Sequence, residues 1–424
     1  MSKFIYHIFI GLYALGIRIA SLGNAKARMW ITGRKNFPAI RQTLKNNTVW
    51  MHCASLGEFE QGRPLVEKIK ILDPGVQIVI TFFSPSGYEV MKNYPGADYI
   101  FYLPVDSPLH AKRFIDNITP TLVLWIKYEY WFYYLKELKK RNIPVLLISG
   151  IFRKEQPFFK WYGGIWKEML HCFTHLFVQN EASRELLQQY FSITNISIAG
   201  DTRFDRVIDT ADNFEPVKEI EAFIGNTEVI VAGSTWTEDD EELDHYANTN
   251  IGISFIIAPH EISKERLTEC LKLYKHSMLY SEWIIAKKEW EGEYVHSPVA
   301  GINCLVIDNI GLLKRLYQYA TICYVGGGFG QSGIHNILEA AVYGKPVIFG
   351  PEYGKFAEAA ALIEKGGAIS IDCALELEKE INALLTDEKL LAGTGNICRD
   401  YVRENAGATH KIISYIQENR LLIN

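Results

Sequence analysis

The chain has 424 residues, 48% hydrophobic and 22% charged, which allows two folded domains of roughly 200 residues each and excludes a disordered or fibrous polymer. Its seven cysteines are scattered, odd in number and without a C-x-x-C, which excludes a disulfide framework or a zinc ribbon and fits reduced cytoplasmic thiols. The net charge of -5 hides an asymmetry: Met1 to Gly57 holds eight Lys or Arg and no Asp or Glu, leaving 36 basic against 49 acidic residues, a net -13, in the remainder.

A basic end on an acidic body is expected to meet anionic lipid or another polyanion; no nucleic acid is expected as partner. Phe4 to Ile17 is nearly all apolar until Arg18 interrupts it, shorter than the roughly 20 residues of a bilayer span. As a helix it puts His7, Gly11, Ala14 and Arg18 on one less hydrophobic face, opposite bulky Phe, Ile and Leu. Residues 1–47 therefore read as a monotopic anchor and basic flank, with Lys26, Arg28, Arg34 and Lys35 reaching lipid phosphates and Trp30 at the interface. The alternatives are a helix packed on the core and a signal peptide, the latter disfavoured by Arg18 and the lack of an A-x-A site.

From Thr48 the pattern changes to β/α alternation. Candidate strands at 48–54, 76–82, 99–103, 120–126, 144–149, 174–178 and 195–199 predict a doubly wound, largely parallel sheet over residues 48–210. After a polar connection the alternation restarts at 228–232, 253–258, 303–307, 321–325, 346–349 and 367–371, predicting a second domain of the same class over 211–400. The stretch Lys272 to Gly301 has no clear period, and a helical tail at 401–424 closes the chain.

The second domain contains TICYVGGGFGQSGIHNILEAAVYGKPVIFGP, from Thr321 to Pro351. An apolar strand enters a glycine turn, and a helical segment from about His335 to Tyr343 precedes another buried strand. Such a turn lets backbone approach a phosphate, so a nucleotide or nucleotide-sugar is the first expectation. Gly328, Gly330 and Gly333 also spell G-x-G-x-x-G, with Glu352 about twenty residues on in the place of a ribose acid. That leaves a nicotinamide enzyme open, as well as glycines that merely turn the chain.

In the first domain the strand VWMHCAS runs into Glu58 where a helix begins. A carboxylate there could take a proton from an attacking hydroxyl. Ser55-x-x-Glu58 is equally a capping box, and spacing alone favours the cap. Asn336-x-x-Glu339 is open in the same way, between a helix cap and a ribose ligand.

Several segments, in chain order, carry a family resemblance: MHCASLGEFEQ, GDTRFD, AGSTWTEDDEE, IIAPHE and VIDNIGLLKRLYQYATICYVGGGFGQSGIHNILEAAVYGKPVIFGP. They resemble the Kdo transferases of lipopolysaccharide synthesis (3-deoxy-D-manno-octulosonic acid transferases). The resemblance implies an α/β GT-B fold, two Rossmann-like doubly wound domains facing a cleft with an N-terminal membrane-anchoring helix. It implies inverting transfer of Kdo from CMP-Kdo, held by the C-terminal domain, to a lipid A precursor (lipid IVA) approaching the N-terminal one. The place implied is the cytoplasmic face of the inner membrane, with no metal or other cofactor.

Residue by residue, Glu58 resembles the family's general base, and Glu129 in KYEYW and Arg203 in GDTRFD its second acid and its basic position near the transferring group. For the nucleotide the resemblance points to Pro259 and His260, to Ile310, Gly311 and Leu312, and to Asn336, Ile337, Leu338 and Glu339. Lys127 replaces the first acid of the family's acid-x-acid-x-Trp-Pro. Ala258-Pro259-His260 stands for the usual Pro-Arg-His, and Gly311-Leu312-Leu313 for Gly-Glu-Leu.

Overall fold

Strands buried on both faces dominate the architecture. The computed structural model describes residues 3–38, 40, 47–127, 129–290 and 301–422; Arg41 and Lys45 of the basic flank, and Tyr128 of KYEYW, lie outside the described residues. Two units divide the chain, one of residues 1–206 with 406–424, the other of residues 207–405.

In the first unit β1 (Thr48–Cys53), β2 (Gln77–Phe82), β3 (Tyr99–Tyr102), β4 (Leu122–Ile126), β5 (Val145–Gly150), β6 (His175–Val178) and β7 (Ile196–Ile198) form one sheet in the order β3-β2-β1-β4-β5-β6-β7. Every pairing is parallel. Helices cover both faces, which is why β1, β2, β4 and β5 are buried along their whole length and mainly apolar rather than alternating.

The second unit repeats the plan with β8 (Val229–Thr235), β9 (Ser254–Pro259), β10 (Ser277–Leu279), β11 (Cys304–Val306), β12 (Ile322–Val325), β13 (Val347–Phe349) and β14 (Ala368–Ser370), in the order β10-β11-β9-β8-β12-β13-β14, again all parallel. β10 falls in the stretch that showed no period; with three half-buried residues it has too few positions to display one. Sequence order reverses between β1 and β4 in one sheet and between β8 and β12 in the other. In sheets of this kind the strand ends at that reversal form the binding crevice.

The N-terminal helix, Lys3–Ala20, is docked on the first unit by Tyr6 and Ile10, which join its aromatic core. Tyr6 Oη donates to Asp106 at 2.7 Å and accepts from the Phe132 N–H at 3.2 Å. Asp106 in turn accepts from the Tyr133 and Tyr134 N–H groups at the start of the helix Phe132–Lys140. Phe4, Ile5, Ile8, Phe9, Leu12, Leu15 and Ile19 stay exposed.

The second helix, Ala25–Thr32, and the turn after it differ from expectation at Trp30 and Arg34. Trp30 is buried against Tyr13 and Phe83, and Arg34 turns inward over the Trp30 ring rather than outward to lipid. Its guanidinium donates to the carbonyls of Leu103 (2.8 Å), Phe83 (2.7 Å) and Trp30 (3.2 Å). Those carbonyls and the surrounding rings compensate its desolvation, and the charge of Glu129 adds to them. Lys26 and Arg28 are exposed as expected.

The helix Ala408–Glu418 belongs to the first unit, not to the adjoining second. The Asp205 carboxylate accepts from the N–H groups of Gly407 (2.6 Å) and Thr409 (2.7 Å) at the helix start, and Ile412, Ile413 and Ile416 fill the core beside the helix Leu56–Leu72.

Candidate active site

The first reversal point brings the end of β1 against the loop after β4. Glu58 lies in the first turn of the helix Leu56–Leu72 and is nearly buried. Its Oε2 accepts from the Ala54 N–H, whereas the Ser55 side chain makes no capping bond. The reciprocal box that the spacing allows is therefore not formed. Glu58 returns to the backbone one residue earlier, where the strand leaves the sheet, so its carboxylate sits on the sheet rim.

Glu129 is held from the other side. Its Oε2 is 3.1 Å from His52 Nε2 and accepts from Trp131 Nε1 at 3.1 Å. Thr81 Oγ1 accepts from Trp50 Nε1 at 2.8 Å and lies 2.9 Å from His52 Nδ1. Trp131 Nε1 also donates to His52 Nε2 at 3.2 Å, so the imidazole, the indole and the Glu129 carboxylate form one hydrogen-bonded cluster. Both carboxylates bear on Cys53 at the end of β1, whose thiol is pushed well up by burial and then by Glu58 and Glu129. Lys127, directly after β4, has a φ of 51°; a non-glycine residue at positive φ marks a chain bent sharply at this rim.

Arg203 is oriented by Asp201. Its backbone N–H and its Nε donate to the Asp201 oxygens at 2.9 and 3.0 Å, and Gln179 and Gln61 donate to the same carboxylate at 2.8 and 3.1 Å. Burial raises Asp201's pKa, but Arg203 and Lys127 outweigh it and hold the carboxyl below its ordinary range. Gln61 lies one helical turn after Glu58, so the Arg203 cluster meets the Glu58 helix. The lysine in place of a family acid thus acts on this cluster. Glu60, the neighbouring acid, is taken up by Arg206 (3.3 Å) and Arg63 (3.6 Å).

At the second reversal point the glycine turn after β12 is pinned by a residue without a role in the sequence reading. Asp239 Oδ2 accepts from the N–H groups of Gly327 and Trp236, both at 2.8 Å, and Oδ1 from Tyr324 Oη at 2.9 Å. Burial raises its pKa. The helical segment expected from His335 to Tyr343 is a single turn, Leu338–Ala341, because residues 333–337 are spent crossing back: His335 N donates to Gly326 O at 3.0 Å and Ile334 N to Glu352 O at 3.2 Å.

The glycines answer to packing. A Cβ on Gly326 would fall 2.5 Å from Ser234 O and one on Gly328 2.5 Å from Gly350 N, while Gly327 and Gly333 have φ of 92° and 78°. Three adjacent loops, after β8, β12 and β13, touch backbone to backbone there. Glu352, in the place of a ribose acid, meets the turn through its own backbone, donating to Gly328 O at 2.8 Å.

Around this turn three rings stack. Trp236 lies 4.7 Å from His260 and His260 4.3 Å from His335, centroid to centroid. Trp236 Nε1 donates to His335 Nε2 at 3.2 Å, and burial followed by the neighbouring His260 lowers the His335 pKa to about 4. Asn336 Nδ2 donates to Glu339 Oε1 at 3.1 Å, and its Oδ1 is buried with no partner. Among the described residues nothing donates to that acceptor.

Pro259 and the side chains of Ile337, Leu338 and Leu312 are buried, whereas Ile310 is exposed. Gly311, at φ 91°, turns the chain into Leu313–Leu316. There Leu313 and Tyr317 close over Gly233 at the end of β8, and Lys314 O accepts from Tyr343 Oη at 2.7 Å. The three predicted nucleotide segments thus gather around the ends of β8, β9 and β12, offering mainly backbone groups, His260, Asn336 and Glu339. Among the described residues no group of three or more His, Cys, Asp or Glu is arranged to hold a metal ion.

Residues 25–206 match the family described as 3-Deoxy-D-manno-octulosonic-acid transferase (kdotransferase). A 3-deoxy-D-manno-octulosonic acid transferase of Haemophilus influenzae is 23% identical over 419 residues, 95% of this chain and 94% of that one. The chain resembles the Kdo transferase family. A bifunctional glycosyltransferase/methyltransferase of Fusobacterium nucleatum is 28% identical over 309 residues, 71% of this chain, which spans about half (47%) of that protein's length. A solved UDP-GlcNAc 2-epimerase from Neisseria meningitidis bound to UDP-GlcNAc shares the fold, with a TM-score of 0.61 at 16% identity over 88% of this chain and 100% of that one. The fold is GT-B and the enzyme class glycosyltransferase. Trp236, Asp239 and His335 are the residues around the glycine turn to which the sequence reading gave no role. The helix-start spacing Trp236-x-x-Asp239 was the available signal, for an acid three residues into a helix returns to the backbone before it.

Proposed function

We propose that the protein transfers Kdo from CMP-Kdo to a lipid A precursor, with inversion, at the cytoplasmic face of the inner membrane in lipopolysaccharide inner-core synthesis. The observation that carries the reading is Glu58, a carboxylate on the rim of the first sheet beside Glu129 and in the helix that meets Arg203, in a chain with Kdo transferase likeness over most of its length.

The acceptor hydroxyl oxygen attacks the anomeric carbon of Kdo while the bond from that carbon to the CMP phosphate oxygen breaks. Glu58 takes the hydroxyl proton, and CMP leaves with the bonding pair. Attack opposite the leaving group inverts the carbon. Arg203, aimed by Asp201, offsets charge on the Kdo carboxylate or the departing phosphate. Glu129, fixed by His52 and Trp131, is the second acid of the site. The second unit has its own nucleotide site, where Asn336 and Glu339 supply polar contacts, with Glu339 as acceptor for ribose hydroxyls, alongside backbone groups of Pro259, His260, Ile310, Gly311, Leu312, Ile337 and Leu338. The exposed apolar face of the N-terminal helix, with Lys26 and Arg28, places the enzyme on the membrane.

The test is to incubate the protein with CMP-Kdo and tetraacylated lipid A precursor and weigh the lipid. A mass increase of Kdo units with release of CMP is expected; an unchanged lipid with CMP-Kdo intact would refute the proposal.

A further inference from the structure

A cavity of about 470 Å³ opens in the first unit beside the N-terminal helix. It is walled by Arg18 of that helix, Lys35 just after the second helix and Arg113 of the helix Pro108–Ile118, with Arg34 in its lining and His110 alongside; no Asp or Glu lines it. Arg34 is committed to three carbonyls, as described, and Arg113 stacks over Phe37. Among the described residues Arg18, Lys35 and Arg113 form no ion pair. Several cations converging on one concave space repel one another, and an anion in the middle reverses the sign of the interaction.

The neighbourhood says what carries the anion. Leu12, Leu15 and Ile19, around Arg18 on the same helix, and Leu22 in the turn after it are each at least 50% exposed. The Tyr6–Asp106 bond and buried Ile10 fix that helix to the unit, so the cavity and the apolar face keep a set relation. We propose that this cavity is a binding site for one anionic phospholipid, with the phosphate among Arg18, Lys35 and Arg113 and the acyl chains along the apolar face. The site deepens, and rests on, the membrane reading of the helix. It differs from diffuse attraction in that position, not merely charge, decides binding, and a guanidinium matches two phosphate oxygens at once.

The experiment uses the full chain in detergent with phosphatidylglycerol, read by native mass spectrometry, and compares two variants of equal charge loss. Lys35→Gln with Arg113→Gln removes two cations from the cavity; Lys26→Gln with Arg28→Gln removes two exposed cations outside it. The parent and the second variant are expected to retain a single lipid, and the first to lose about tenfold in occupancy, with CMP binding unchanged in all three. Equal occupancy in the two variants would overturn the site in favour of diffuse attraction. Displacement by inorganic phosphate at the lipid's own concentration would make it a free-anion site and overturn the lipid assignment. Sedimentation with phosphatidylglycerol vesicles separates the two readings. Cosedimentation with no difference between variants removes the cavity site and leaves the membrane reading, whereas a parent that stays in the supernatant removes both.

Discussion

Replacing Glu58 by Gln separates its structural role from its chemical one. The side chain accepts from the Ala54 N–H in the first turn of its helix, and a Gln carbonyl oxygen reaches the same donor. What is lost is the charge: about 0.3–1 kcal/mol of favourable interaction with the helix N-terminus, and the difference between a charge-assisted and a neutral hydrogen bond, about 1 kcal/mol. The first unit should therefore lose about 1–2 kcal/mol, or a few degrees in melting temperature. Gln cannot accept a proton at neutral pH. If Glu58 is the base, turnover should fall by about 10²–10⁴, equivalent to roughly 3–5 kcal/mol of transition-state stabilisation. Thermal unfolding, CMP calorimetry and the lipid mass assay on one preparation give all three quantities. Transfer at near the parent rate would refute the general-base assignment and turn attention to Glu129, since Glu60 is engaged by Arg206 and Arg63.

Gly328→Ala places a methyl 2.5 Å from Gly350 N and should destabilise the second unit by about 1–3 kcal/mol, measured by urea unfolding, with weakened CMP binding; parent-like values would show that the two loops can part. Glu339→Ala should weaken CMP binding by about 1–3 kcal/mol in calorimetry with the fold intact, and an unchanged dissociation constant would put the ribose elsewhere. Burial raises the Asp106 pKa to about 6 above an unfolded value near 3.9. The folded state therefore binds the extra proton between those values, so the stability of the parent relative to Asp106→Asn should fall as pH rises from about 4 to 6, by up to roughly 3 kcal/mol. A difference that is flat across that window, in denaturant titrations, would refute this. Replacing exposed Phe9, Leu12 and Ile19 by Ser should move the protein from membrane to soluble fractions without uncovering Tyr6 and Ile10; unchanged membrane retention would sink the anchor.

The strands were legible because a parallel sheet covered on both sides demands continuous apolar runs, and these stand out between polar helix starts. Their limits agree with the structure to within a few residues, and the short β10 is the exception. Glu58 was visible as a residue at a strand-to-helix turn. Which donor it takes was not, for Ser55 N and Ala54 N are neighbours in sequence and only the angle at which β1 leaves the sheet selects between them. Arg34 shows the opposite limit. Its charge placed it at the surface, while the three carbonyls that draw it inward come from Trp30, Phe83 and Leu103, up to 69 positions away.

The sequence by itself determined the two β/α repeats, the basic end and the family likeness, since each is written in residues close together along the chain. Only the tertiary structure decided that Asp239 holds the glycine turn, that Trp236, His260 and His335 stack, and that Arg18, Lys35 and Arg113 share one cavity. Those groups come from different elements, and a contact between distant segments exists only once the strand order has set which loops are neighbours.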